Sequence, residues 1–185
     1  MERIAGGSAR PRGRATGVVY LLYFLTAAFG EFLVGRKLVV YGDVVNLIGV
    51  GLYVVLTLLF YFMFKPVNRG LSLVAAFFSL LGCGLTVLNL FHRAASYSPL
   101  MFFGPYCLLI GWLIFRSTFL PRILGVLMML AGLGWLAFLS PPLAKHLSLY
   151  IEILGIVAEG LLMLWLLVKG VNVERWREQA GARTT

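Results

Sequence analysis

Residues 147–168 read LSLYIEILGIVAEGLLMLWLLV. As an α-helix a run of this length is roughly 30 Å long, enough to cross the hydrocarbon core of a bilayer. Two carboxyl groups interrupt it, Glu152 and Glu159. Seven residues are close to two helical turns, so both fall on nearly one face. Glu159 lies near the middle of the run, where an acid is costly and marks function by default. No Lys or Arg inside the run is available to pair with it. Its bland reading is a neutral structural acid that donates a hydrogen bond to a polar group on the first, third or fourth span.

Working outward, the rest of the chain repeats the pattern. Of 185 residues, 61% are hydrophobic and 12% charged, about half the charge of an ordinary soluble domain. The apolar residues come in continuous blocks, without the alternation of a membrane β-barrel. The expected fold class is all-α, a polytopic transmembrane bundle of six spanning helices. The expected spans are residues 17–34, 44–64, 71–91, 99–115, 123–139 and 147–168. Residues 1–16 read as a basic flexible segment, 17–170 as the membrane domain and 171–185 as a polar cytoplasmic tail with Trp176 at the interface. The first run is long for a signal peptide and is followed at once by Glu31, so it is read as an uncleaved helix. Pro105 lies inside the fourth span and predicts a kink there.

The net charge of +9 is distributed as a topology signal. Twelve Lys and Arg fall in the N-terminal segment, the 65–70 and 116–122 loops and the tail; four (Arg36, Lys37, Arg93, Lys145) fall in the other loops. The positive-inside rule then puts both termini in the cytoplasm and the protein in the inner (plasma) membrane, with membrane lipids as its surroundings. No recognition motif accompanies the charge, so nucleic acid is not an expected partner. Cys83 and Cys107 read as small buried hydrophobes, since neither forms a CxxC pair. Gly104 and Gly111 are one heptad apart, as are Gly125 and Gly132, a close-packing signal for helices in lipid. Lys65-Pro66-Val67-Asn68 and Lys169-Gly170-Val171-Asn172 share a K-x-V-N pattern, read as a recurring interfacial stop signal.

Several stretches together resemble one family. They are Arg14-Ala15-Thr16-Gly17-Val18-Val19-Tyr20, Gly30-Glu31-Phe32, Gly42-Asp43, Pro66-Val67-Asn68-Arg69, Phe115-Arg116-Ser117, the sequence LPRILGV at 120–126, and LLVKGVN at 166–172. From about Arg14 to Trp176 the chain is similar to the domain of unknown function 4386 family, prokaryotic multi-spanning membrane proteins without an assigned activity. The resemblance implies architecture and no mechanism. The chain is shorter than that family's usual members between spans three and four. After Phe102-Phe103-Gly104 it has Pro105-Tyr106 where the resemblance would put a His.

Threaded through six spans, the polar residues segregate to the outer half: Glu31 on span one, Asp43 and Asn46 on span two, Asn89 and His92 on span three, Tyr106 on span four, and Glu152 with the deeper Glu159 on span six. Buried polar groups need one another or water, so these predict an outward-opening polar cavity. Each also has a plain alternative. Glu31 can reach the headgroups, Asp43 and Asn46 suit a helix N-terminus, Asn89 can bridge helices, and Tyr106 can simply pack. His92 and His146 lack metal-ligand spacing, and phosphate loops, dinucleotide fingerprints and the GxSxG elbow are missing, so no metal or cofactor is expected. The resulting reading is an integral membrane protein binding a small or lipophilic ligand in the outer cavity, as a transporter or receptor. Two further classes stay open: an intramembrane enzyme using paired carboxyl groups on a lipid or isoprenoid, and a structural or partner-binding subunit. With six spans, reporter fusions at residue 97 and at the C-terminus read opposite sides of the membrane; equal readings would remove the six-span topology.

Overall fold

Each K-x-V-N sequence ends one helix and caps the next. In the computed structural model, which describes residues 12–92 and 99–182, Asn68 Oδ1 accepts from the Leu71 amide at 3.1 Å. Asn172 Oδ1 accepts from the Arg175 amide at the same distance. Both are N-cap bonds to the third residue on, which satisfy an amide the new helix leaves orphaned. The shared motif is therefore a stop followed by a restart. Its second copy starts a helix that the sequence reading treats as a polar tail.

The helices are α1 (Gly13–Gly35), α2 (Val39–Phe64), α3 (Arg69–His92), α4 (Leu100–Arg116), α5 (Arg122–Trp135), α6 (Pro141–Val168) and α7 (Val173–Gly181). A 3₁₀ turn, Leu136–Leu139, extends α5. The described residues contain no strand. Five segments are long and apolar enough to cross a membrane: α1, α2, α3, α5 with its 3₁₀ turn, and α6 from His146 onward. The expected fourth span, α4, has 17 residues, the lower edge of spanning length. The count is thus five by length, with one short apolar helix beside them. α4 runs helical through Pro105.

Two boundaries differ from expectation. α2 starts at Val39, because Val39, Val40 and Tyr41 are helix-compatible and extend it backwards. Asp43 and Asn46 therefore lie within the helix, and Asn46 is not a cap. α6, expected from residue 147, starts at Pro141, directly after Ser140 ends the 3₁₀ turn. Proline suits a first helical turn, where its missing N–H would be orphaned anyway.

Each of α1 to α6 packs on its sequence neighbours, and α6 returns to α1. The result is a closed ring. The α4–α5 seam is the tightest, and glycine makes it possible. A Cβ on Gly111 would stand 2.7 Å from the Gly125 carbonyl oxygen, and one on Gly125 would stand 2.6 Å from the Gly111 oxygen. Gly104 and Gly132 repeat the contact one heptad away. The two glycine heptads thus face each other in antiparallel register.

The ring is solid at the end that carries the termini. Phe60, Met63, Phe64, Leu113, Ile114, Leu162 and Leu166 fill it and are almost wholly buried. Trp176 closes this end. It is buried, with its indole N–H donating to the Met63 carbonyl at 2.8 Å. This corrects the interfacial placement of Trp176: α7 folds back and gives the indole a backbone acceptor inside the protein. Cys83 and Cys107 are buried free thiols.

Gly111→Leu and Gly125→Val should each lower thermal stability in detergent, by about 1–3 kcal/mol, the usual cost of overpacking. Gly160, with open space at its Cβ position, tolerates alanine. Equal melting temperatures for all three variants would refute the seam.

Candidate functional site

At the end of the ring away from the termini the side chains thin out. Ala27 and Ala28 on α1, Gly49 on α2, and Ser79, Gly82 and Cys83 on α3 face one another across a cavity of about 780 Å³. Small residues on three helices leave that volume unfilled. The larger neighbours are aromatic and come from four helices. Tyr23 and Tyr53 have ring centroids 4.7 Å apart, Tyr53 and Phe103 5.4 Å, and Phe103 and Trp135 6.0 Å. They form one line of rings from α1 through α2 and α4 to α5.

Glu159 belongs to the cavity lining and is 5% exposed. Tyr20 on α1 donates its hydroxyl proton to Glu159 Oε2 at 2.7 Å, and the bond is buried. Tyr20 itself is held by rings: edge-on to Phe60 at 5.8 Å and tilted against Phe24 at 5.3 Å. The expected partner on the first span is present, but the direction is reversed, with the phenol donating. A phenol has a proton to give, and a carboxyl oxygen accepts in either of its forms. A second buried polar pair, Thr57 with Ser79 at 2.5 Å, ties α2 to α3.

The other sequence candidates fall as follows. Glu31, Asn46, Asn89 and Glu152 all line the cavity, as does Asp43. Glu31 and Glu152 are exposed, while Asn46 and Asn89 are half-buried. Asn46 lies with its amide directly against Gly30, which has no Cβ to obstruct it. Tyr106 is not in the lining. It is buried behind the rings, with its centroid 5.6 Å from that of Phe103 and 6.0 Å from that of Tyr53. The side chain of His92, the last residue of α3, lies outside the described residues, as do Arg93 and the Lys145 side chain. Among the described residues, no three His, Cys, Asp or Glu come together as a metal site.

Three lining residues carry buried polar atoms without a hydrogen-bond partner: Tyr53 Oη, Asn89 Oδ1 and Trp135 Nε1. Tyr53 Oη is beside Tyr106 without reaching hydrogen-bond geometry. Tyr53 is 3% and Trp135 7% exposed. Trp135 is wedged tightly, its indole against the Gly155 Cα of α6. An orphaned buried polar group costs about 1–3 kcal/mol, and these three atoms lie within the cavity walls rather than at their surface. The sequence reading missed Tyr23, Tyr53, Phe103 and Trp135. Tyr53, a hydroxyl in the middle of an apolar run, was the one signal that could have been used.

Comparison with known proteins adds a family match over part of the chain and no activity. Residues 84–170 match the family described as Domain of unknown function (DUF4386). An uncharacterised protein of Archaeoglobus fulgidus is 26% identical over 148 residues, covering 75% of this chain and 90% of that protein. No solved structure matches.

The Tyr20–Glu159 bond makes a direct prediction. In a double-mutant cycle of Tyr20→Phe and Glu159→Ala, the coupling should be about 0.5–1.5 kcal/mol, the range of hydrogen bonds between membrane helices. Glu159→Ala should cost about 1–2 kcal/mol, since it also leaves the Tyr20 hydroxyl unpaired. Additive single-mutant effects would show that the pair contributes nothing.

Proposed function

Taking residues 84–170 as a DUF4386 domain, a family of unknown function, we propose that this chain is an integral membrane protein that binds a small, largely apolar ligand in the cavity bounded by Glu159. The 17–170 region is the membrane domain, and both termini lie on the cytoplasmic side of the plasma membrane. The basic residues at the termini end support that orientation, and the cavity then opens outward.

The observation that carries the reading is a roomy cavity lined by aromatic rings and by polar side chains. Its volume of about 780 Å³ falls within the ordinary range of small-molecule sites. Glu31 and Glu152, both exposed, belong to the lining, so the recess is open to an entering molecule. Glu31, Asn46, Asn89 and Glu152 supply polar groups to the lining, while the aromatic rings supply apolar area, the mixture that small-molecule sites use. The solid core beneath Glu159 argues for a blind pocket, as in a receptor or binding subunit, rather than an open path through the bundle.

Purified protein extracted with organic solvent should release a bound small molecule, identified by mass spectrometry against an empty-detergent control. Cys83→Phe, which places a ring in the cavity, should remove it while leaving a folded protein with a sharp thermal transition. A folded wild type that yields no bound molecule, and whose melting is unaffected by any lipophilic compound in a screen, would overturn the proposal.

A further inference from the structure

The cavity's charge is opposite to the protein's. The chain carries 16 Lys and Arg against 7 Asp and Glu. Four of those seven acids, Glu31, Asp43, Glu152 and Glu159, line this one cavity, and none of its described lining residues is Lys, Arg or His. Glu152 and Glu159 stand two helical turns apart on one face of α6, so one carboxyl group is near the mouth and the other at the floor. Between them lie the π-faces and edges of Tyr23, Tyr53, Phe103 and Trp135.

We infer that the ligand is a lipophilic organic cation, an amine or quaternary ammonium on an apolar body, held by the aromatic rings and by Glu152 and Glu159. This rests on the ligand-binding reading above and specifies its chemistry. Carboxylates in a low-dielectric recess attract a cation more strongly than they would in water, and the bound cation in turn favours that ionised form. Aromatic faces add cation–π attraction, which grows when the cation is desolvated. Polar side chains of the lining, Asn46 and Asn89 among them, are placed to accept from an ammonium N–H. An anionic ligand would meet Glu31, Glu152 and Glu159 and no basic side chain among the described lining residues. A phospholipid with an ammonium headgroup has the same cation, but its phosphate would find no basic partner among those lining residues. The occupant is accordingly a phosphate-free cation.

Tetraphenylphosphonium and tetraphenylborate have nearly the same shape and opposite charge, so they isolate this variable. Each is measured by equilibrium dialysis against the intact protein in neutral detergent, with empty micelles subtracted. Tetraphenylphosphonium should bind saturably and at least about tenfold more tightly than tetraphenylborate. Glu152→Gln should weaken the phosphonium by about tenfold and leave the borate unchanged or improved, with melting temperature unaltered. Glu159→Gln, which keeps an acceptor for Tyr20, should do the same. Cys83→Phe should abolish binding of both. Titrated phosphatidylethanolamine should not displace the phosphonium; stoichiometric displacement would assign the site to a lipid headgroup and overturn the phosphate-free assignment. Equal or preferential binding of tetraphenylborate, sensitive to Cys83→Phe, would overturn the cation inference while leaving the pocket reading intact. Binding of neither ion, together with no saturable binding of the neutral lipophile 1-aminoanthracene, would overturn both.

Discussion

The hydrogen bond from Tyr20 to Glu159 is where the ring closes. Five of the six seams join helices adjacent in sequence, which short connections hold together regardless. The sixth, α1 against α6, joins residues 139 apart. It depends on two things: a glycine, Gly17, whose missing Cβ lets α1 approach the backbone of Leu167 to contact distance, and a polar pair that neither partner can abandon. Separated, the phenol and the carboxyl would each lose at once the partner they have among the described residues. The bond thus acts less through its modest net strength than through the cost of leaving it unmade.

Around that closure the bundle divides into a packed half and a hollow half, and side-chain size decides which. Toward the termini the inward positions are Phe, Met, Leu and Ile, and α7 adds Trp176 as a plug. Toward the other end α1, α2 and α3 present alanine, glycine, serine and cysteine inward, while α4 and α5 present Phe103 and Trp135. The hollow is therefore lined by small residues on α1, α2 and α3, with rings from α1, α2, α4 and α5 bordering them. The rigid α4–α5 seam fixes the aromatic wall, because two backbones locked glycine to glycine have little freedom to collapse into the space. A cavity bordered on its large-residue side by the stiffest interface in the molecule persists for a structural reason.

Much of this was legible in the sequence, for physical reasons that also mark where legibility ended. Block length and apolarity fix helix number and order, so the spans read closely. Polar residues in apolar runs are few and expensive, so Glu31, Asn46, Asn89, Glu152 and Glu159 stood out, and the structure brings these five to one lining. What an apolar run conceals is azimuth. A helix that is hydrophobic all round carries no stripe to say which face turns inward. Tyr106 and Tyr53 are both phenols on apolar helices, and nothing in their neighbours told that one lines the cavity and the other is buried behind it. Trp135 had the same ambiguity. Trp176 was misread for another reason: a Trp after the last span usually marks the headgroup level, and only the cap at Asn172 reveals a helix that carries it inward.

The segregation of charge then does two separate things. Basic residues at the termini end, such as Lys65, Arg69, Arg116, Arg122 and Lys169, satisfy an orientation requirement set by the membrane reading. The acids at the opposite end have no role in that requirement, since acidic residues contribute little to it. Their convergence on one lining is an independent fact that calls for its own cause. Nor do the distant basic residues cancel the field of those acids. At the termini end the basic side chains are exposed and screened by water and salt within about a Debye length, whereas Glu159 sits behind an apolar core where screening is weak. A chain that is strongly basic as a whole therefore keeps a locally acidic recess, and it is the recess, not the net charge, that an entering molecule meets.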